Sequence, residues 1–256
     1  MRRIHEQQWF EDEDFWRTTF PFMFPDSAFT AASEAVLKIL RLTKVRGRSA
    51  LDLCCGPGRF SVALAKRGFA VTGVDRTKYL LDKARARARG TRVHVEWIRQ
   101  DMRDFVRPGA YHLAISTYTS FGYFDSRGED TTVLANVFRS LRPGGVFFVE
   151  MLGRENLAKM FLPVSVETLP DGSIMVERRK IVDDWTRIEN EWTVVKDGVA
   201  KKFLLRLNLY SGQELRQQME QVGFADVKLY GSLDGIPYDP EAKRLIAIGR
   251  KSPRTL

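Results

Sequence analysis

Leu51-Asp52-Leu53-Cys54-Cys55-Gly56-Pro57-Gly58-Arg59-Phe60 is the stretch from which the rest of the chain can be read. An apolar strand runs straight into a glycine turn and then into a helical pattern, so the backbone there can approach a ligand closely. A bare Gly-x-Gly also serves an ordinary strand-to-helix turn, and its surroundings narrow the reading. The next apolar run ends in Gly73-Val74-Asp75, which places an acid seventeen residues beyond Gly58, where a carboxylate can accept both hydroxyls of a ribose. A pyrophosphate fingerprint would need a third glycine where this chain has Ser61. Instead Asp52 stands four residues before Gly56, and a third apolar run closes in Gln100-Asp101-Met102. An acid there can accept from an adenine amino group while the following N–H donates to the ring.

Outward from this stretch, short apolar runs alternate with amphipathic segments from about 50 to 149, the pattern of repeated βαβ units. Strands are predicted at 49–53, 70–74, 93–97, 113–116 and 146–149, the last after the turn Arg142-Pro143-Gly144-Gly145. From about 164 to 209 the texture becomes an antiparallel meander, punctuated by Pro170-Asp171-Gly172 and Lys196-Asp197-Gly198. Ser211 and Glu214 form a capping box for a helix over 213–221, closed by Gly223, and strands follow at 226–230 and 245–249.

At 256 residues with 44% hydrophobic and 29% charged residues, the composition is that of a globular protein and excludes a wholly disordered or fibrous chain. The two cysteines, Cys54 and Cys55, are adjacent, which supports neither a disulfide framework nor a metal site. No apolar leader or membrane-spanning run is seen, so a cytoplasmic location is expected. The net charge of +9 identifies no partner by itself. Its densest basic run, Lys83 to Arg92, has no interleaved aromatics and reads as a solvated helix rather than a phosphate-tracking patch. By contrast, Trp9, Phe10, Phe15, Trp16, Phe20, Phe22, Met23, Phe24 and Phe29 crowd one short segment. Two readings fit it: a helical flap completing the core, or a lid walling a substrate pocket.

The chain resembles the class I S-adenosylmethionine-dependent methyltransferases over roughly 49 to 145 and at the terminal strand pair. The resemblance implies an α/β fold: a Rossmann-like, doubly wound, seven-stranded, mostly parallel sheet with the β meander inserted after its fifth strand. The implied division is an aromatic N-terminal lid (1–45), a cofactor-binding core (46–163), the insertion (164–210) and a C-terminal helix with two antiparallel strands (211–256). By similarity, Cys54, Cys55, Gly56, Pro57 and Gly58 hold the methionine part of S-adenosylmethionine and Asp52 orients its amino group. Asp75 and the neighbouring Arg76 bind at the ribose, Asp101 and Met102 at the adenine, and Ser116 and Thr117 lie beside the cofactor. Tyr118 and Glu150 are the candidates for orienting an acceptor.

Ser116-Thr117-Tyr118-Thr119 is similar to a variant of small-molecule methyltransferases and lacks the Asn/Asp-Pro-Pro-Tyr/Phe signature of enzymes that methylate base or glutamine amino groups. His112 stands where many relatives carry an acid. His94 and His112 fall near the amino ends of strands, away from the expected site, and His5 is a surface residue or a base before the aromatic segment. Arg206, Tyr210 and Tyr238 are candidates to reach the pocket from the meander and the final hairpin. The expected activity is methyl transfer to a nitrogen or oxygen of a small molecule by a monomer or homodimer, with no metal and no membrane. An RNA methyltransferase and a non-catalytic S-adenosylmethionine-binding protein are the alternatives.

Overall fold

Alternating side chains explain how the central sheet is covered on both faces. In the computed structural model, which describes residues 8–253, Phe147 packs into one apolar cluster and its neighbour Phe148 into the other. This is the period-two pattern of a strand buried on both sides. The strands are β1 (Ser49–Leu53), β2 (Ala70–Asp75), β3 (Glu96–Arg99), β4 (Tyr111–Ser116) and β5 (Leu141–Met151), then, near the end of the chain, β10 (Ala225–Tyr230) and β11 (Leu245–Arg250). Their order is β10-β11-β5-β4-β1-β2-β3, parallel except where β11 pairs antiparallel with β5 and β10.

On one face α2 (Asp26–Thr43) sets Val36 and Ile39 against Ala50, Leu113 and Phe148. On the other, α5 (Arg127–Ser140) and α7 (Gly212–Gln221) contribute Val133, Leu134, Leu215 and Met219. Both α5 and α7 open with the Ser-x-x-Glu capping box, at Ser126/Glu129 and Ser211/Glu214. The segment after β5 and α6 (Arg154–Met160) forms a separate antiparallel sheet, β6 (Val164–Thr168), β7 (Ile174–Val182), β8 (Arg187–Lys196) and β9 (Val199–Asn208), in that order. It is tied to the core where Asn208 Nδ2 (2.9 Å) and Tyr210 OH (2.6 Å) both donate to the buried carboxylate of Asp130 on α5.

The aromatic segment is a 3-10 turn, Trp9–Glu11, followed by α1 (Glu13–Met23). Phe15 is fully buried and its ring lies 5.2 Å from that of Phe203 and 5.8 Å from that of Trp192, on the four-stranded sheet. On its other side the segment meets α4 (Lys78–Thr91), whose basic run is largely solvent-facing, with Lys83 and Arg89 exposed, and also makes contacts there. Lys83 stands 5.2 Å over the Phe20 ring and Arg87 3.3 Å over that of Phe29, so these cations are used to hold the aromatic segment.

The third strand also departs from expectation, starting at Glu96 rather than 93. Arg92 ends α4 in the left-handed region and the Val93 N–H donates back to Ala88 O, so these residues complete the helix exit before a ladder can begin. The turn at Arg142-Pro143-Gly144-Gly145 lies within β5, where the register against β4 jumps between Tyr111 and Leu113. His94 precedes β3, and His112 Nδ1 sits 2.6 Å from Ser49 Oγ; His5 lies outside the described residues. Among the described residues no helix is long and apolar enough to cross a membrane.

Candidate functional site

Where β1 lies between β2 and β4 their carboxyl ends come together, and connections leave in opposite directions, so a crevice opens above them. It encloses a cavity of about 290 Å³. Cys54, Cys55, Gly56, Asp75 and Arg76 line it below, Asp101 and Met102 on the β3 side, Thr117, Tyr118 and Tyr123 on the β4 side. Trp9, Phe10, Trp16, Met23 and Phe24 close it from the N-terminal segment.

The glycine turn takes its shape from left-handed residues at Cys54, Gly56 and Gly58, with φ of 58°, 54° and 80°. Gly58 is fixed doubly, because a Cβ there would come within 2.7 Å of the Trp97 ring. The turn is held by Asp75: its Oδ2 accepts the Gly56 N–H at 2.9 Å and its Oδ1 the Thr77 N–H at 2.8 Å. Asp75 also lines the cleft, which sets its carboxylate beside any ligand held there. Burial pushes the Asp75 carboxyl up, against these backbone donors.

Asp101 is placed differently. It receives Arg76 at 3.0 Å and Arg103 at 2.9 Å. Its burial favours the neutral acid, but the two guanidiniums outweigh that and hold the carboxyl below its ordinary value. Arg76 also reaches Glu11 of the N-terminal turn, with the Phe10 ring 5.0 Å from its guanidinium carbon. One arginine thus connects the cover to the far end of the cleft. The Cys54 and Cys55 thiols are pushed well up by burial, which keeps them neutral.

Several expected site residues do not line this cleft. Asp52 is buried below it and accepts the Ser61 hydroxyl at 2.6 Å; burial raises its carboxyl to about 7. The serine in the place of a third glycine therefore ties α3 (Arg59–Ala65) to β1. Pro57 and Gly58 sit in the turn behind, Gly58 covered by Trp97, and the Ser116 hydroxyl is buried with no partner among the described residues. Glu150 has its oxygens occupied, Oε1 by Arg244 at 2.7 Å and Oε2 by the Tyr118 N–H at 3.0 Å. With Arg244, which also donates to Thr119 Oγ1 at 2.8 Å, it clamps a loop whose Tyr118 and Thr119 have φ of 57° and 59°.

Glu150 and Arg244 instead line a second cavity of about 300 Å³ behind Phe60, Thr117 and Tyr118. Neither Arg206, Tyr210 nor Tyr238 reaches the cleft, because each is engaged elsewhere, with Glu189, Asp130 and Glu155 respectively. Conversely, sequence reasoning gives no role to Arg59, Tyr123 or Arg244. Arg59 adjoins the glycine pair and Tyr123 closes the post-β4 stretch, so adjacency to the motifs is the signal that could have found those two. Arg244 is brought in by the antiparallel return of β11, which no local motif reveals.

No group of three or more His, Cys, Asp or Glu suited to a metal occurs among the described residues. The cleft does fit an adenosine-bearing ligand: the Asp75 carboxylate lines it as an acceptor for a ribose diol, and aromatic rings roof its polar floor.

Comparison with known proteins bears on the family and the fold. Residues 50–145 match the family model described as a methyltransferase domain. The chain is 29% identical over 133 residues to a ubiquinone biosynthesis O-methyltransferase of Coxiella burnetii, covering 50% of this chain and 56% of that one. It spans about half the length of the curated relatives it matches. Among solved structures, it is similar to the CcbJ methyltransferase of Streptomyces caelestis, with a TM-score of 0.74 at 21% identity, over 86% of this chain and 95% of that one. It is also similar to CalS10, an amino pentose methyltransferase from Micromonospora echinaspora, with a TM-score of 0.65 at 20% identity, over 88% and 92%.

Proposed function

From a chain that belongs to the class I S-adenosylmethionine-dependent methyltransferase family, we propose an enzyme that moves a methyl group from S-adenosylmethionine to a nitrogen or oxygen of a small-molecule acceptor. The observation that carries this reading is the cleft itself, with the Asp75 carboxylate lining its floor and an aromatic cover closing the space above. The amino pentose methyltransferase and the ubiquinone biosynthesis O-methyltransferase support the small-molecule side of it.

S-adenosylmethionine supplies a methyl already activated by its sulfonium. What remains for the chain is to bind, align and exclude water, and holding two reactants at near-attack distance can contribute most of the acceleration. Asp75 would hold the ribose, and the Cys54–Gly58 turn would lie along the methionine part. Asp101 would face the adenine while keeping its arginine partners. Trp9, Trp16 and Tyr123 would keep water from the acceptor side. Burial pushes the Tyr123 hydroxyl up to about 12, so it serves as a neutral hydrogen-bonding group and not as an anion. Glu150, through the Tyr118 N–H, would set the loop against which the acceptor rests, which makes it a positioning residue.

The test is direct binding. S-adenosylhomocysteine should raise the melting temperature and NAD should not, since the turn has Ser61 in place of a third glycine. Asp75→Ala, checked for folding by circular dichroism, should weaken S-adenosylhomocysteine by about 1.5–3 kcal/mol in calorimetry. Stabilisation by NAD alone, or unchanged affinity in the folded variant, would reject the reading.

A further inference from the structure

Behind one wall of the cofactor cleft lies the second cavity, of about 300 Å³, which the methyl-transfer reading leaves unused. Phe60 and Tyr118, their ring centres 5.9 Å apart, line both chambers and so form the partition between them. The rest of the second chamber is mostly apolar, with Ala35 and Ile39 from α2, Phe148 from β5 and Leu233 from the connection between β10 and β11. One ion pair, Glu150 and Arg244, enters this box. Glu150 accepts from Arg244 Nε and from the Tyr118 N–H, and Arg244 Nη2 donates to Thr119 Oγ1. Of the three guanidinium nitrogens, Nη1 is left with no hydrogen bond among the described residues. A donor set among apolar side chains stays unsatisfied unless something brings it an acceptor.

We propose that this chamber is a second small-molecule site, which takes a neutral single-ring compound bearing a carbonyl, with the carbonyl oxygen on Arg244 Nη1 and the ring between α2 and the Phe60–Tyr118 partition. Size, polarity and charge each narrow the ligand. An apolar cavity of roughly 150 Å³ is enough for benzene. A chamber of about 300 Å³ therefore has room for a ring with a substituent. Walls of this composition favour the ring by the apolar area that it removes from water. Charge disfavours a carboxylate head. The Glu150 side chain is 13% exposed and lies 2.7 Å from Arg244, so it already neutralises the guanidinium, and a second anion would enter beside an acid with no cation left for it. A carbonyl supplies the acceptor that Nη1 lacks and brings no charge. A molecule so seated packs on the back of the two rings that wall the cofactor cleft.

The probes are acetophenone, toluene and benzoate, which share the ring and carry a neutral carbonyl, no polar group and an anion respectively. Ligand-observed NMR titrations of the full chain should show acetophenone binding about tenfold more tightly than either of the others, the worth of one hydrogen bond. That affinity should hold to within about twofold when S-adenosylhomocysteine saturates the cofactor cleft. Ala35→Phe fills the chamber from α2, and Ala35 is not among the residues of the cofactor cleft. The variant should lose at least about tenfold in acetophenone affinity and keep its S-adenosylhomocysteine affinity within about twofold. Leu233→Phe fills the chamber from the other side and gives the same readout if the first variant does not fold. Displacement of acetophenone by S-adenosylhomocysteine would put it in the cofactor cleft, and undiminished affinity in the folded variants would put it elsewhere on the surface; either result overturns the proposal. Toluene binding as tightly as acetophenone, or benzoate binding more tightly, would overturn it as well. Failure of the wild-type chain to bind S-adenosylhomocysteine would count against the methyltransferase reading instead, since the probes and the filled variants can be read on the chain alone.

Discussion

Asp52 carries a liability that a surface acid does not. It is 2% exposed, bonded to Ser61, and titrates in the folded chain at about 7 against an ordinary 3.8. A folded-state value above the unfolded one means that the native chain binds this proton more tightly. The associated stability is complete below about pH 4 and is lost as pH rises through 7. Asp52→Asn keeps an oxygen for the Ser61 hydroxyl and removes the ionisation. The variant should gain on the wild type between pH 4 and pH 9, by about 3–5 kcal/mol in urea unfolding series, from a shift of roughly three pH units. A difference independent of pH would show that the carboxyl is not buried as described. At this scale the sequence was readable only in part. It gave the positions of Asp52, Asp75 and Asp101, but which oxygens remain for a ligand depends on Ser61, Gly56 and Arg103, and those pairings exist only after folding.

At the scale of elements, the aromatic cover is held by ions and rings. Glu11 reaches Arg76, which reaches Asp101, while Phe20 and Phe29 lie under Lys83 and Arg87 of α4. A bound nucleoside in contact with Asp101 thus sits one residue away from the latch of its own cover. Glu11→Gln weakens the latch without altering a cleft-lining side chain, and a partly exposed pair of this kind is worth about 1 kcal/mol. Stopped-flow measurements should then show S-adenosylhomocysteine leaving about three- to tenfold faster. An unchanged rate would mean that the turn at Trp9–Glu11 does not govern exit. Removing residues 1–24 is a blunter test, because it also strips Phe15 from Phe203 and Trp192. The cover was visible in advance as a density of aromatics between 9 and 29, since so many rings must be buried. Its clasp was not, because the basic run and the aromatic run each look self-contained until α4 and α1 are packed together. The parallel strands were legible for a simpler reason: period-two burial on both faces leaves continuous apolar runs, and the boundaries that moved have local causes, the exit of α4 at Arg92 and Val93 delaying β3 and the turn at 142–145 being taken up within β5.

The whole molecule is two sheets joined at Asp130, Asn208 and Tyr210, with the N-terminal segment laid across both. The two landings differ in kind. Against the four-stranded sheet the segment presents Phe15 to Phe203 and Trp192, an apolar contact indifferent to salt, although Lys201 and Asp14 add an exposed pair at 2.6 Å. Against the seven-stranded core Trp9 meets Tyr123 and Phe10 meets Phe124, and the rest of the landing is on charges: Glu11 on Arg76, Asp26 on Arg87, and rings beneath Lys83 and Arg87. Such contacts weaken as counterions screen them. The strap is therefore expected to peel from its core side and stay seated on the insertion, so that ionic strength acts as a throttle on the cycle. If methyl transfer outpaces opening, product formation in the first turnover should appear as a burst equal to the enzyme present, followed by a slower steady rate. Raising salt from low to about physiological strength should quicken that second phase and leave the burst unchanged.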